Sequence, residues 1–555
     1  LAAARGRFVF FLDESTIAAP DCIGRLLAAC AGNERVALVG SQLVSPDGSV
    51  ACAGGILWRD GTASWFGSSA GARPHSTLFP RDVDFAAPYA LMARTETLRA
   101  LGGWPEHTGA HDGAIELALR ARSRGLSVRY EPSSVAICFD DLASREAALT
   151  NGDVARRWHE DISRSFPRDE FLIERAARRA GATRTALLMD SFVPFDDRSA
   201  GARRTLAIAR ILRSLDWHVI FVAHDGGVYE PYTSRARRLG IEVIPHRGDA
   251  TATLRSLPVP IDLAWIARPD VLSHYLPTLR GAVRAPIVYD TVDLHYVRRR
   301  REAELRGNET AWEAMKTIEL DLARKAEVTV VTSRSDAREL EREGCTSSVV
   351  PIVESRAEFR APYAMRRDLL FLGNYSHEPN VDAVTWLVRE IMPLVWERMP
   401  DVRLEIAGAD PTPAVLRLAQ SRVAVTGFVE RAERLFDHSR IFVAPIRYGA
   451  GMKGKVVYSI ARGLPVITTA IGAEGIALRD GESVLLREDA RGFADAILEL
   501  YNDEVRWHAI ADAAFAVARD FEEGTVARSV ARVLDAALQH KEEIGVDLGL
   551  PAHTA

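Results

Sequence analysis

Cysteine is scarce in this sequence, long apolar runs are missing, and the charges nearly balance. The 555 residues include five cysteines, none in Cys-x-x-Cys spacing, which argues against a disulfide scaffold or a cysteine metal cluster and favours a reducing compartment. No apolar run approaches the roughly 18 residues that a membrane-spanning helix needs, and no signal peptide is recognisable. A formal net charge of −5 gives no electrostatic reason to expect nucleic acid as a partner.

The bulk composition is that of an ordinary globular protein. Hydrophobic residues make up 47% and charged residues 26% of the chain, as in soluble domains. A chain of this length is too long for a single hydrophobic core, so two to four domains are expected. Because the sequence starts at Leu1, inside a motif, we expect it to be part of a longer reading frame.

The segment 444–476 has the densest set of residues suited to ligand binding. A glycine turn with Gly449 and Gly451 precedes Lys453 and Lys455, and a short helix pattern and an apolar strand pattern follow. Glycines let a backbone approach a ligand, a helix N-terminus offers unpaired N–H donors, and the lysines add charge. This combination predicts a bound phosphate. The alternative is a plain turn with solvated lysines, and a short glycine motif without further support would favour that alternative.

Strand and helix patterns alternate from about residue 185 onward. Apolar strand patterns at 186–190, 218–223, 241–245 and 262–267 are separated by helix-forming segments. This alternation predicts a parallel, doubly wound sheet. Ligands of such sheets lie beyond the carboxyl ends of the strands, so the residues that follow each strand are the candidate functional residues.

Three such residues follow the strand that ends at Tyr289. Asp290, Asp293 and His295 lie beyond its carboxyl edge. A lone histidine is usually structural, but the Asp-x-Val-Asp-Leu-His context makes His295 a catalytic candidate, and the two aspartates could orient it or act as acceptor-side acids. The arginine run 298–301 that follows is either a solvated face or a contact to an anionic membrane or lipid phosphate.

The loop that follows the strand at 186–190 also has two interpretations. Asp197, Ser199 and Gly201 stand where a helix begins. They either face a ligand in a cleft or form a simple N-cap turn.

The segment 444–476 resembles the donor-binding segment of family 4 glycosyltransferases with the GT-B fold. Three further segments support the resemblance in the expected order: 371–384 (FLGNYSHEPNVDAV), 404–410 (LEIAGAD) and 425–430 (VTGFVE). The resemblance covers the chain from about residue 185 to the last helix. It implies two Rossmann-like domains, a nucleotide-sugar bound between them, retention of anomeric configuration and no metal. It also implies that His295 hydrogen-bonds the transferred sugar or the acceptor, and that the loop with Asp197, Ser199 and Gly201 faces the cleft.

The same resemblance assigns the donor-binding residues and reveals departures from the family. The residues assigned to the donor are Gly373, Asn374, Gly427, Phe428, Gly449, Gly451, Lys453, Lys455, Tyr458 and Glu474. The arginine and lysine that many members carry after the first strand fall near Asn374 and 379–380, so the lysines of the glycine turn must meet the phosphate charge. The family's paired glutamates fall on Tyr458 and near Gly449, and Glu474 could instead reach the ribose or sugar hydroxyls.

Residues 1–140 resemble the C-terminal half of family 2 glycosyltransferases with the GT-A fold. Asp13 occupies the first position of the Asp-x-Asp motif, but Ser15 replaces the second aspartate. The family's Glu-Asp pair falls on 113–114, which is Gly-Ala, with Asp112 adjacent and Glu116 retained. A metal-bound diphosphate needs several hard oxygen ligands, so a degenerate, structural domain is predicted, and the alternative is that Asp13 and Asp112 still act in a longer protein.

These observations predict an α/β, multidomain glycosyltransferase: an incomplete GT-A-like domain (1–140), a helical linker (141–184), two Rossmann-like domains of a GT-B unit (185–355 and 356–540) and a tail (541–555). The expected partners are a nucleotide-diphosphate sugar and a glycan or lipid-linked glycan acceptor, in surface polysaccharide or O-antigen assembly. A cytoplasmic location, with an optional contact to the inner membrane face, and no cofactor are expected. The alternative is a nucleotide-sugar-binding or scaffold protein that does not turn over.

Overall fold

The computed structural model describes residues 4–67, 74–105, 109–142, 152–179, 184–307 and 312–543. The chain folds into two compact units. Unit 1 comprises 1–186, 212–222 and 226–262, and unit 2 comprises 187–211, 223–225 and 263–555. In the described part of the chain, none of the helices combines the length and apolar character required to cross a membrane.

Unit 1 begins with a mixed eight-stranded sheet. Its strands are β1 Phe8–Leu12, β2 Thr16–Ala18, β3 Val36–Val44, β4 Val50–Leu57, β5 Ala63–Gly67, β6 Arg81–Asp82, β7 Ala90–Arg94 and β8 Ser127–Cys138. The main path is β1-β7-β3-β4-β5, and β8 pairs with β2, β3 and β6. The strands β3 and β4 form a hairpin: they pair antiparallel, and the Ser45 N–H donates to the Ser49 carbonyl at 2.8 Å.

The helices of this first part follow the sequence pattern. They are α1 Cys22–Ala31, α2 Thr95–Ala100, α3 Ala110–Arg122, α4 Gly152–Arg157, α5 His159–Ser163 and α6 Ile173–Arg179. The predicted linker is helical in its described residues, as α4 to α6. Its residues 143–151 and 180–183 lie outside the described part of the chain.

A buried ion pair joins the last linker helix to two strands of unit 1. Arg178 of α6 donates from Nε to Glu242 Oε2 at 2.7 Å and from Nη2 to Glu242 Oε1 at 2.5 Å, and His218 Nε2 lies 2.9 Å from the same carboxylate. Burial would raise the pKa of Glu242, but Arg178 holds it far below its usual range. This cluster gives a physical reason why 212–222 and 226–262 belong to the same compact unit as the residues before 187, whereas the predicted boundary lies at 184/185.

The predicted alternation of strand and helix is confirmed from residue 184 onward. Its strands are β9 Arg184–Asp190, β10 Trp217–Ala223, β11 Ile241–Val243, β12 Leu263–Ala267, β13 Ile287–Asp290, β14 Val328–Val331 and β15 Ser348–Val349. They have the order β11-β10-β9-β12-β13-β14-β15. The helices are α7 Ala200–Ser214, α8 Tyr232–Arg238, α9 Thr251–Arg255, α10 Pro269–Thr278, α11 His295–Arg306, α12 Trp312–Lys325 and α13 Arg334–Arg342.

The six-stranded sheet, whose strands all belong to unit 2, is parallel throughout. Its strands are β16 Arg367–Leu372, β17 Leu404–Ala407, β18 Val423–Gly427, β19 Ser439–Ala444, β20 Val466–Thr468 and β21 Leu485–Leu486, in the order β18-β17-β16-β19-β20-β21. The helices are α14 Glu378–Trp386, α15 Met392–Trp396, α16 Pro413–Leu416, α17 Glu433–His438, α18 Gly454–Ala461, α19 Ala490–Asn502, α20 Glu504–Val517 and α21 Glu523–Glu543. The parallel α/β architecture is thus as predicted. The last helix, α21, packs against β13, β14 and β15.

The central strands of this sheet are continuous apolar runs because helices cover both faces. Leu370 and Phe371 of β16 and Phe442 and Val443 of β19 are fully buried. Gly408 follows β17 with a φ of +130° and allows the loop after β17 to lie against the loop after β16. A Cβ there would lie 1.7 Å from the Gly373 carbonyl oxygen, so only glycine allows this approach.

We expect Gly408→Ala to destabilise unit 2 and to displace the Gly373 loop. The positive φ costs about 1–2 kcal/mol, and the steric collision adds about 1–3 kcal/mol. Gly481→Ala is the matched control, because Gly481 also has a positive φ but a Cβ there meets no atom within 4 Å. The midpoint of urea unfolding measures both variants. Equal losses in the two variants would contradict the steric explanation.

Candidate functional site

The loops at the carboxyl ends of four parallel strands of unit 2 carry most of the predicted site residues. Gly373 follows β16, the Gly449–Gly451 turn follows β19, Glu474 follows β20, and Asp293 follows β13. The strand β13 belongs to the seven-stranded sheet and the other three to the six-stranded sheet. Each sheet directs the carboxyl ends of its parallel strands to one edge, where ligands bind in α/β folds. The structure therefore collects these residues at the positions where a ligand is expected.

Glycines allow the segment 444–476, called the donor segment below, to lie directly against the residues of unit 2 that precede residue 355, called its first half. A Cβ on Gly451 would be 3.0 Å from the Asp293 Cβ, one on Gly454 would be 2.4 Å from the Ala200 Cβ, and one on Gly475 would be 2.4 Å from the Ser333 Cβ. The Met452 N–H adds a hydrogen bond of 3.2 Å to Thr332 Oγ1. The glycine turn, the start of α18 and the loop after β20 each need glycine for this contact.

The two lysines of the donor segment lie at the N-terminus of α18 with different partners. Lys453 Nζ donates to the Gly451 carbonyl at 2.6 Å and lies 3.7 Å from Glu474 Oε2. Lys455 Nζ donates to Asn380 Oδ1 and lies 4.3 Å from the centroid of the Phe371 ring. Burial, and then the charge of Lys453, lowers the pKa of Lys455 to about 7. Both ammonium groups are therefore held in an environment that disfavours their charge.

His295 is the first residue of α11 and lies beside Asp293. Its Nε2 is 3.2 Å from Asp293 Oδ1, and Arg298 donates to Asp293 Oδ2 from the next turn of the helix. Burial opposes the ionised carboxylate, but the charge of Arg298 and the hydrogen bond from His295 hold the pKa of Asp293 well below its usual range. The structure thus brings the His295 ring and an ionised Asp293 carboxylate together.

Glu319 of α12 fixes the position of His295 and is a residue that the sequence analysis missed. Its carboxylate accepts the backbone N–H groups of His295 at 3.0 Å and Tyr296 at 2.8 Å. These are among the N–H groups that no helical carbonyl can satisfy at a helix start. Glu319 is thus a remote cap for α11, and a distance of 24 residues in sequence gives no local pattern that could reveal it.

Asp290 lies beneath the site, and its two carboxylate oxygens are taken by other groups. Asp290 Oδ2 is 2.5 Å from Arg204 Nη1 and accepts from Trp265 Nε1 at 2.9 Å, and Oδ1 accepts from the Val292 N–H at 3.1 Å. The residue is 1% exposed. This burial favours a supporting role for Asp290 over the predicted role of an acid that faces the acceptor.

The residues after β16 and β18 meet the predicted acceptor-side loop. Asn374 donates to Asp410 Oδ2 at 3.3 Å and to the Arg198 carbonyl at 3.5 Å. The Arg198 guanidinium lies 5.1 Å from the centroid of the Phe428 ring, which is 41% exposed. Gly427 turns the chain just before this ring with a φ of +69°. An exposed ring beside a guanidinium is a surface that could stack on a nucleobase.

The predicted acceptor-side residues lie where α7 begins. Ser199 Oγ accepts the Ala202 N–H at the long distance of 3.5 Å, so it caps the helix only weakly. A Cβ on Gly201 would be 3.3 Å from Val292 Cγ1, which places this turn against the loop before His295. Asp197 precedes the helix by three residues.

Tyr458, which stands at the position of the family's second glutamate, packs between an arginine and a ring. The Arg203 guanidinium lies 5.0 Å from its centroid, and the Phe436 ring meets it edge-on at 4.7 Å. Arg203 also donates to Glu354 Oε2 at 2.9 Å. A cavity of about 540 Å³ lies beside Tyr458, with Glu354 and Glu433 among its lining residues. Carboxylates are thus present near this position although residue 458 is not one.

The predicted residues of the GT-A-like site in unit 1 have local partners. Asp13 Oδ1 accepts from the Ser15 N–H at 2.9 Å and from Ser15 Oγ at 2.6 Å. Glu116 is 2% exposed and pairs with Arg120 and Arg157, each at 2.8 Å. Asp112 lies in the first turn of α3. Ser15 engages Asp13 and the two arginines engage Glu116, which fits a structural part for these two acids.

Comparisons with known proteins place a glycosyltransferase domain in the C-terminal part of the chain. Residues 366–503 match the family model described as Glycosyl transferases group 1. An uncharacterized 44.6 kDa protein in the cps region of Klebsiella pneumoniae is 27% identical over 140 residues, which is 24% of this chain and 36% of that protein. This chain therefore spans little more than a third of that relative.

Solved structures share the fold. Sucrose-phosphate synthase from Thermosynechococcus elongatus superposes with a TM-score of 0.52 at 14% identity, over 64% of this chain and all of that chain. Anabaena HepE in complex with UDP and glucose has a TM-score of 0.52 at 15% identity, with the same coverage. At such identity the likeness concerns the fold alone. The resemblance drawn from the sequence is confirmed for a group 1, GT-B-like domain, and the GT-A-like assignment stays a prediction.

Glu319→Gln is expected to remove a pH dependence of stability. Burial, opposed by the charge of His295, raises the pKa of Glu319 from 4.5 to about 7 in the folded protein. A raised pKa contributes stability below pH 4.5 that is lost as the pH rises through 7. Relative to Glu319→Gln, the wild-type protein should therefore lose about 3 kcal/mol of unfolding free energy between pH 4.5 and 8. Urea unfolding at several pH values measures this.

The matched control for this prediction is Asp321→Asn. Asp321 lies on the same helix but is exposed and pairs only with Lys325 in the described structure. Its unfolding free energy should run parallel to that of the wild-type protein. Parallel curves for Glu319→Gln and the wild-type protein would contradict the burial of a titrating carboxylate beneath His295.

Proposed function

We propose that unit 2 transfers a sugar from a nucleotide-diphosphate sugar to an acceptor hydroxyl. The observation that carries this proposal is the pair Lys453 and Lys455 at the N-terminus of α18, beside the Gly449–Gly451 turn. In the described part of the chain, Lys455 Nζ has Asn380 as its hydrogen-bond partner and forms no ion pair. A buried ammonium is costly unless it is paired, and a diphosphate would supply the missing negative charge.

The residues around the lysines suit the departure of a nucleoside diphosphate. Two ammonium groups and the first N–H groups of α18 would stabilise the charge that develops on the leaving phosphate. His295, held by Asp293 and Glu319, would hydrogen-bond the transferred sugar or the acceptor hydroxyl. We propose transfer with retention of anomeric configuration and without a metal, which is what the resemblance to family 4 implies.

The acceptor and the pathway follow from the comparisons only as proposals. The similarity to a Klebsiella pneumoniae protein of a cps region supports a part in surface polysaccharide or O-antigen assembly. The acceptor would then be a glycan or a lipid-linked glycan. We propose a cytoplasmic location, with a peripheral contact to the inner face of the cytoplasmic membrane. We propose a structural part for the GT-A-like piece of unit 1.

A protein that binds the donor without turnover is the second candidate. One observation favours it: the two positions of the family's paired glutamates hold Tyr458 and, in the turn, Gly449 or Ala450. Tyr458 is 8% exposed and packed by Arg203 and Phe436, so it offers little to a ligand. Donor binding without hydrolysis or transfer would favour this candidate over the transferase.

Nucleotide binding should take up a proton at Lys455. Because its pKa is lowered to about 7, the amine is largely neutral at pH 8, and a bound diphosphate would raise the pKa and draw a proton. Calorimetric titration of the protein with UDP and GDP, in buffers of different ionisation enthalpy, should report nearly one proton taken up at pH 8 and fewer at pH 6. Lys455→Met should weaken binding by about tenfold or more, or 1.4 kcal/mol.

Lys325→Met is the matched control for Lys455, because Lys325 is exposed and pairs with Asp321 away from the donor segment. Its binding curve and proton uptake should equal those of the wild-type protein. If neither UDP, GDP nor their sugars bind the wild-type protein, the proposed donor site is wrong.

His295→Ala should abolish slow hydrolysis of whichever nucleotide-sugar binds, while binding changes by less than about threefold. The imidazole would act on the sugar or acceptor, whereas the phosphates meet the lysines. Product analysis by chromatography, together with the titration, separates the two effects. An unchanged hydrolysis rate would exclude His295 from the chemistry.

A further inference from the structure

The arginine run at the start of α11 is divided between two faces of the helix. Arg298 pairs with Asp293, and Arg301 reaches the donor segment, whereas Arg300 pairs with Glu339 at 3.0 Å on the side of α13. Residues three apart in a helix share a face, and on this face Arg298 meets Asp293 while Arg301 meets the donor segment. The sequence had suggested a solvated face or a lipid contact for this run, and the structure gives Arg301 a different environment.

Arg301 makes three hydrogen bonds to the donor segment. Its Nη1 donates to the Gly449 carbonyl at 2.6 Å and to Glu474 Oε2 at 2.7 Å, and its Nη2 donates to Glu474 Oε1 at 2.8 Å. The side chain is 24% exposed. A guanidinium fork on a carboxylate is the same geometry that binds a phosphate. Arg301 is therefore positioned, at the glycine turn, for an anion with two oxygens.

Glu474 is the carboxylate that these cations share. It pairs with Arg301 through both oxygens and lies 3.7 Å from Lys453 Nζ. The nearby acid Asp336 is 4% exposed and accepts from Ser333 Oγ at 2.7 Å. Glu474 thus gives one negative charge to two cations at the place where the backbone turn would meet a phosphate.

The loop after β16 cannot supply a strong cation to the same site. Between Leu372 and Val381 it contains no lysine or arginine. Its Asn374 and Asn380 bond within the loop, to Asp410, to the Arg198 carbonyl or to Lys455. A diphosphate carries more charge than Lys453 and Lys455 can neutralise once Glu474 is counted. A further cation must come from another element, and α11 provides one.

We propose that Arg301 binds the donor diphosphate at the Gly449 turn and that Glu474 is the internal counter-ion which the diphosphate displaces. This inference rests on the proposed function, since it assigns the cation that completes the donor site. It gives Glu474 a role opposite to that of a ligand for ribose or sugar hydroxyls: the carboxylate competes with the donor. Under this proposal α11 contributes two residues to the site, His295 and the phosphate-binding Arg301.

The test is calorimetric titration of the full chain with inorganic pyrophosphate and with UDP and GDP. Arg301→Gln should weaken the binding of all three ligands at least tenfold, and Glu474→Gln should strengthen it threefold or more. Arg300→Gln is the matched control on the same helix, and it should bind as the wild-type protein does. Circular dichroism melting of each variant checks that the fold is retained.

The outcomes separate this inference from the proposed function. If Lys455→Met loses binding while Arg301→Gln binds like the wild-type protein, the donor site stands and the role of Arg301 is wrong. If Glu474→Gln weakens binding of UDP and GDP but not of pyrophosphate, Glu474 contacts the nucleoside and is not the counter-ion. If the wild-type protein binds neither pyrophosphate nor any nucleotide, both proposals fail.

Discussion

The close approach of the donor segment to the first half of unit 2 is the constraint on which the site depends. Gly451, Gly454 and Gly475 each occupy a place where a Cβ would lie 3.0 Å or less from Asp293, Ala200 or Ser333. Interiors are packed so closely that even one methyl group is felt. Side chains here would push the donor segment away from Asp293, Ala200 and Ser333, and the parts of the site would then be separated.

Two carboxylates with opposite electrostatic environments surround His295. Asp293 is held ionised by Arg298 and His295, whereas burial raises the pKa of Glu319 to about 7. When their environments give two neighbouring carboxyl groups different pKa values, the two groups can take different roles. Asp293 can stabilise a positive imidazole through its side chain, while Glu319 accepts the backbone N–H of the same residue. The imidazole is therefore oriented at both its side chain and its main chain.

The strands and loops that carry the site could be predicted from the sequence, whereas the partners of its charged side chains could not. The alternation of apolar strands and helices, the glycine turn and the order of the loops depend on local patterns, and the structure reproduces them. Arg301 and Glu474 are 173 residues apart, and no local pattern couples them. Asp290 has the same sequence context as Asp293, but Arg204 and Trp265 enclose it. Whether an acid faces a cleft or a buried arginine is decided by packing from other elements.

The ion pair between Arg178 and Glu242 bears on where the chain can be cut. A truncation that begins at residue 185 would remove the arginine but keep Glu242, which is fully buried beside His218. An uncompensated buried carboxylate is strongly destabilising. A truncation that isolates the glycosyltransferase-like part should therefore begin upstream of α6. Arg178 would then remain in the same fragment as Glu242, whose charge it neutralises.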